Sequence, residues 1–410
     1  MGVTGLLVRA GAMRPHVLVA AMPGGAAVRL AAEAQLRRRG WPAALSPADA
    51  DVLLVAGAAA ADIAAAVETT WAAVPAPRVR ALVASPGEVA AALDAAQAEL
   101  AAGAPRWLPA GDAAVLPGAN GGAASGAGGS HEAHGTGSHH DMGDMDMEMP
   151  GGLSMAERGE DRDGLKLDRL HVPLGPVLPD WSAGLVVRLV LQGDVVQHAE
   201  AAAVGLMEGA GSFWTEPWRR AAAGEPVTTG VAARRRAAAH LDSLARFLAL
   251  AGWDDASTTA CELRDDALAG RPAPSLGLAV RRLAARVARS RVLAWSTRGA
   301  GTLPPDEAAA AGVTGPARRA GGDVTARYRG WCRELADLTA AFDDGSQLDP
   351  AVLEPPRGRL DGAQAPSASL LAVLPRLLAG SEFAVARLIV ASLDPDLDEL
   401  PARVETGHDH

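Results

Sequence analysis

Between Pro117 and Gly152 the chain runs through Gly, Ala, Ser, His, Asp and Met without any apolar periodicity. A stretch of that composition cannot bury a core, so residues 117–152 are expected to form a disordered linker. It divides the chain into residues 1–116 and 153–400, with a short polar tail at 401–410. At 410 residues with 49% hydrophobic side chains, the sequence has material for two cores.

The first region alternates strands and helices. His16–Ala20, Asp51–Val55 and Val79–Ser85 are short runs rich in Val and Leu, and Ala-rich helical stretches lie near Ala26–Arg39, Ala59–Ala73 and Gly87–Ala102. That order implies an α/β unit, a parallel flavodoxin-like sheet covered by helices. Pro23, Gly24 and Gly25 make a turn into the first helix, a place where a phosphate could meet a helix N-terminus. No GxGxxG and no GxxxxGK[ST] accompanies it, which favours an ordinary strand–helix turn.

The second region opens on Leu170–Pro179, Gly184–Gln192 and Val195–Glu200, with Gly193-Asp194 between the last two runs as a hairpin turn. Beyond Gly230 the pattern becomes helical. Leu241, Leu244, Leu248 and Ala251 recur on one face, as do Leu276, Val280, Leu283 and Val287. Arg282, Arg286 and Arg289 sit on the other side of the latter helix, a stripe usually solvated and less often a docking surface for an acidic partner. Helices at Ala368–Leu378 and Glu382–Ser392 close a mainly α unit with a small β-hairpin region. His240 reads as a packed or capping histidine rather than a ligand.

A formal charge of −10 argues against nucleic acid and against an anionic membrane surface. Lys166 is the only lysine, so arginine carries nearly all the positive charge. Cys261 and Cys332 are the only cysteines, which rules out a disulfide framework and suits a reducing compartment. The longest apolar stretch, Val52–Val67, is interrupted by Asp62 and falls short of the ~20 residues that span a bilayer. A cytoplasmic protein with no transmembrane segment of its own is expected.

Four strings in the second region point further. Gly175–Val196 (GPVLPDWSAGLVVRLVLQGDVV), Gly312–Tyr328 (GVTGPARRAGGDVTARY), Glu354–Leu360 (EPPRGRL) and Ser381–Leu400 (SEFAVARLIVASLDPDLDEL) occur in that order. They resemble the opening hairpin, the TGP segment, the PRG strand and the closing SLDP segment of the large subunit of respiratory complex I, kin to the large subunit of nickel–iron hydrogenases. In the first region, Ser46–Gly57 (SPADADVLLVAG) and Trp71–Ser85 (WAAVPAPRVRALVAS) resemble the small, iron–sulfur subunit of the same complex. The two subunits pack together in complex I and jointly form its quinone pocket, so the resemblance implies a fusion of the pair.

The resemblance also marks what is missing. The family's cluster cysteines lie partly on the loop after its VSMG strand; here that loop reads Ala84–Ala90 and the whole first region has no cysteine. A [4Fe–4S] cluster needs four ligands, usually thiolates. The histidine that reaches the quinone falls at Leu178, the second histidine near Ser182 or Ala183, and the quinone-bonding tyrosine at Leu206. Leucine neither donates a hydrogen bond nor gives a proton. Two isolated cysteines cannot rebuild the paired CxxC motifs of a nickel–iron centre. No iron–sulfur cluster and no nickel–iron centre is therefore expected.

Ligand chemistry is dense only in the linker, at His131, His134, His139, His140, Met142, Met145, Met147 and Met149. Imidazoles suit copper(II), nickel(II) and zinc, and thioethers suit copper(I), so copper or nickel could bind there. A low-complexity spacer has the same composition, and no fixed spacing favours the metal. The sequence thus supports a catalytically silent subunit of a complex I-like membrane assembly (NADH–quinone oxidoreductase or energy-converting hydrogenase-related), peripheral to the cytoplasmic membrane with membrane subunits as partners. One alternative is a copper- or nickel-handling protein working through the linker. The other is an oxidoreductase subunit that relies on its neighbours' cofactors.

Overall fold

The computed structural model describes residues 13–102, 158–160, 166–207 and 211–401. The first unit holds β1 (Val17–Ala21), α1 (Ala26–Arg39), β2 (Val52–Ala56), α2 (Ala61–Ala72), β3 (Val79–Val83) and α3 (Val89–Ala102). The strands pair in parallel in the order β1-β2-β3, with Val17 opposite Val52 and Val52 opposite Val79. Ala43 adds one parallel bridge on the free side of β1. The sequence of neighbours is therefore that of a flavodoxin-like sheet whose second strand is reduced to a single residue. Pro42, which has no N–H, and Pro47 keep that segment from extending.

Strand side chains alternate between the two faces. Val17, Val52, Leu54, Val79 and Val83 pack with α1 and α3, while Leu18, Ala20, Leu53 and Val55 pack with Ile63 and Val67 of α2. Central β2 is buried at every position, as its unbroken apolar run requires. At ~1.5–3 kcal/mol for each fully buried Val or Leu, this strand anchors the unit. Helix α1 stops at Gly40, whose φ of 64° accepts the left-handed cap and returns the chain to Trp41.

In the second unit β4 (Arg158–Glu160), β5 (Lys166–Leu174), β6 (Leu185–Gln192) and β7 (Val195–Ala203) form an antiparallel meander in chain order. Gly193 alone of the two turn residues has positive φ, the II′ arrangement that suits strand twist. Then come α4 (Glu216–Ala222), α5 (Thr229–Leu250), α6 (Asp254–Leu268), α7 (Ala273–Ala288), α8 (Arg291–Thr297), α9 (Pro305–Ala310), α10 (Gly315–Ala320), α11 (Val324–Leu338), α12 (Pro366–Leu378) and α13 (Phe383–Leu393). The α/β and mainly helical halves agree with the sequence reading.

Helix α5 is the axis of the second core. Leu241, Leu244, Phe247 and Leu248 are fully buried, and Phe247 stacks on Tyr328 of α11 at 5.3 Å between ring centroids. Thr228 caps its first turn by accepting from the Val231 N–H. Leu30 of α1 joins this same core, so the first helix has one face on its own sheet and another on the second unit.

Candidate functional site

Helix α1 carries Arg29, Glu33 and Arg37 at i, i+4 and i+8, one straight row along its surface. That row lies against α5 and α6. Arg29 donates to both oxygens of Asp242, at 3.1 and 2.8 Å, and to Glu33 at 2.7 Å. Arg264 of α6 donates to Asp242 at 2.6 Å and to Glu33 at 2.7 Å. Arg246 reaches Asp242 at 3.0 Å and Asp394 at 2.9 Å, and Arg37 pairs with Asp265. Asp242 is wholly buried and Arg264 is 1% exposed, so these are charges removed from water and satisfied only by each other. Burial by itself would raise the Asp242 and Glu33 carboxyls. The surrounding guanidiniums outweigh it, holding Asp242 far below the usual range and Glu33 at about 2.

Beside this network, between the free edge of β1 and helices α5 and α6, lies a cleft of about 350 Å³. Val17 uses both of its backbone groups on Pro42 and Ala44; Val19 and Ala21 face the same edge and line the cleft. Trp41 and Leu178–Trp181 form the walls, and Cys261 and Arg264 contribute from α6. Asp180, at φ 55°, makes no hydrogen bond or ion pair with a described residue. Burial, with help from Glu33, pushes its carboxyl up to about 6 despite Arg246 and Arg29. Burial likewise pushes the Cys261 thiol up to about 11 and that of Cys332, in the core, to about 12, so both stay protonated at neutral pH.

Three of the strings quoted from the second unit meet beneath this interface. The Thr314 hydroxyl accepts from the Arg359 N–H at 3.1 Å. Gly315 lies so close to Arg357 that a Cβ there would stand 2.6 Å from its carbonyl oxygen. Arg357 in turn is buried, donating to the Asp394 carbonyl at 2.7 Å and pairing with its carboxylate. From the closing string, Asp398 crosses to the first unit and accepts from the Gly24 N–H at 2.7 Å. The turn at the head of α1, where a phosphate could have sat, is thus filled by the chain's own carboxyl. A smaller polar pocket of about 40 Å³ borders it, lined by Ser182, Ala183, Arg357, Asp396 and Asp398.

The residues that the resemblance assigns to chemistry do not share one site. Leu178 lines the large cleft, Ser182 and Ala183 the small pocket next to it, with Trp181 and Arg29 common to both, and Leu206 packs against the helical core and lines neither. Where cluster cysteines would stand, Ser85 and Glu88 form a reciprocal capping box: the Glu88 carboxylate accepts from the Ser85 N–H at 3.2 Å and leads the chain into α3. That loop has no thiolate and uses its polar groups on itself, so it does not fit a [4Fe–4S] cluster. His240 is fully buried on α5 and shares a 3.1 Å hydrogen bond with Glu334. His131, His134, His139, His140 and Met142, Met145, Met147, Met149 lie outside the described residues. Among the described residues no group of three His, Cys, Asp or Glu side chains is placed to hold a metal ion.

No family model matches this sequence, and no curated protein matches it. Among solved structures, the chain is similar to one in the membrane-bound sulfane sulfur reductase, an archaeal respiratory membrane complex. The match covers 56% of this chain and 98% of that one, at 16% identity and a TM-score of 0.39. Among the described residues no helix is long and apolar enough to cross a membrane.

The charged row of α1 and its partners on α5 and α6 escaped the sequence reading. The signal available was Asp242 itself, a carboxylate directly beside Leu241 and two residues from Leu244 on the leucine-bearing stretch of the helix.

Proposed function

We propose that this chain is a catalytically silent subunit of a complex I-like membrane assembly, docking on the cytoplasmic side of membrane subunits. The observation that carries the reading is the cleft between its halves. In the resembled pair the corresponding junction works on quinone; here the wall position assigned to the donor is Leu178, the tyrosine position is Leu206 outside the cleft, and the only thiol in reach is the protonated Cys261. An apolar side chain in a proton-coupled site leaves developing charge without a partner. What remains is a scaffold: two halves locked by buried ion pairs, able to seal or couple neighbouring subunits.

Two measurements test this. Anaerobically prepared protein is expected to be colourless, with iron far below one atom per chain, no cluster signal in EPR and no quinone reductase activity. A stoichiometric iron–sulfur signal would overturn the silent reading in favour of an oxidoreductase subunit. Purification of the tagged chain from native membranes is expected to bring down integral membrane subunits; recovery only as a free protein would remove the assembly.

A further inference from the structure

Helix α7 buries Leu276, Val280, Leu283 and Val287 and turns Leu278, Arg281, Arg282, Arg286 and Arg289 outward. Ser290 then caps α8, accepting from the Leu293 N–H at 3.3 Å, and so fixes that helix's rotation. Leu293, Ala294 and Thr297 face inward, leaving Arg291, Val292, Trp295 and Arg298 outside. Val292 is 76% and Trp295 81% exposed, the largest exposures among the large apolar side chains of the described residues. They stand at i and i+3, neighbours on the outer face of one short helix. Leu278 of α7 is exposed as well, at 44%.

Arg291 and Arg298 flank this apolar pair on the same short helix, and the arginines of α7 precede it in the chain. Arg282, Arg291 and Arg298 make no ion pair with a described residue, and Arg289 donates only to the Ala285 carbonyl of its own helix, at 3.1 Å. Arg281, Arg282, Arg286 and Arg289 border one shallow, open depression. Only Arg286 is neutralised, by an exposed pair with Asp255 at 2.7 Å. A chain with a formal charge of −10 thus carries unpaired positive charge on the helix of the most exposed tryptophan among the described residues and on the helix before it.

We infer that the α7–α8 face is a peripheral membrane-binding surface, in which Trp295 and Val292 enter the interfacial layer while the arginines meet anionic phospholipid headgroups. Charge complementarity selects the anionic lipid. Arginine solvates its head in the headgroup region while its stem covers apolar surface, and tryptophan prefers that same layer. An acidic protein surface without an apolar recess would satisfy the guanidiniums but would leave two adjacent, exposed apolar side chains in water. The surface stands independently of the subunit reading, since lipid vesicles contain no partner protein.

The test is co-flotation of the full chain with vesicles of phosphatidylcholine alone and with added phosphatidylglycerol. Binding is expected only to the anionic vesicles, weakening as salt rises. R282E/R289E/R291E is expected to lower partitioning roughly a hundredfold, and V292S/W295S roughly tenfold, each with an unchanged melting temperature because the side chains are exposed. Arg359→Glu, an exposed arginine on another face, should partition as the parent does. No binding to anionic vesicles would overturn the proposal. So would binding that falls with charge reversal but is untouched by V292S/W295S, which would mean that the apolar pair does not enter the interfacial layer.

Discussion

Replacing Asp242 with alanine is expected to cost on the order of 3–5 kcal/mol, enough to leave the chain near the edge of folding. The carboxylate accepts from Arg29, Arg246 and Arg264 at 2.6 to 3.1 Å and is fully buried. Its removal leaves three guanidiniums in the interface with only Glu33, Asp265 and Asp394 to answer them. The cost comes from unpaired buried charge more than from lost contact. Asp242→Leu with Arg264→Leu, which removes a charge of each sign, should therefore be less damaging than Asp242→Ala alone. Urea unfolding of the full chain supplies both numbers. A loss below about 1 kcal/mol for Asp242→Ala would mean that water reaches the network and that it does not lock the halves.

How much of this was visible beforehand depends on whether the information was local. The strands β1, β2 and β3 follow from Val- and Leu-rich runs separated by Ala-rich helices. The β6–β7 turn follows from Gly193-Asp194, and the buried faces of α5 and α7 follow from leucine and valine spacing. Arg29, Glu33 and Arg37 show the same i, i+4 spacing that exposed helix faces use, and nothing near them predicts burial. Their partner Asp242 lies 213 residues further along the chain from Arg29. Helix α6, with Thr, Asp and Ala scattered through it, has too weak a stripe to stand out, yet it supplies Arg264 and Cys261 to the cleft. The closing run Asp394–Glu399 carries the family resemblance in its sequence but not its burial; the approach of Gly24, Ser212 and Ser367 from three distant places turns it inward. Segments whose side chains answer one another across the interface are illegible from sequence for that physical reason.

That acidic run gives the chain an unusual dependence on pH. Burial, together with Asp396, pushes the Asp398 carboxyl up to about 7 and that of Glu399 to about 8, and burial also raises Asp396. Both raised carboxyls accept hydrogen bonds, Asp398 from the Gly24 N–H and Glu399 from the Ser367 N–H at 3.2 Å and hydroxyl at 2.6 Å. Three bonds do not repay the desolvation of adjacent negative charges. In the unfolded chain these groups ionise near pH 4, so between there and pH 8 the folded state binds more protons. Their contribution to stability is complete below pH 4 and is lost as pH rises through about 7 and 8. Glu33 and Glu334, held at about 2, act in the opposite sense, and their contribution disappears only as pH falls from about 4.5 toward 2. Stability is therefore expected to fall between pH 5 and pH 8 by on the order of 3 kcal/mol, since the coupled carboxyls do not ionise independently. In Asp398→Asn/Glu399→Gln the amide oxygens keep these hydrogen bonds and carry no charge, so most of that slope should vanish and the variant should gain on the parent as pH rises. Urea midpoints of both proteins at pH 5 and pH 8 decide the matter. Parallel pH profiles would show that the acidic run is hydrated and that its crossing to Gly24 does not bury charge.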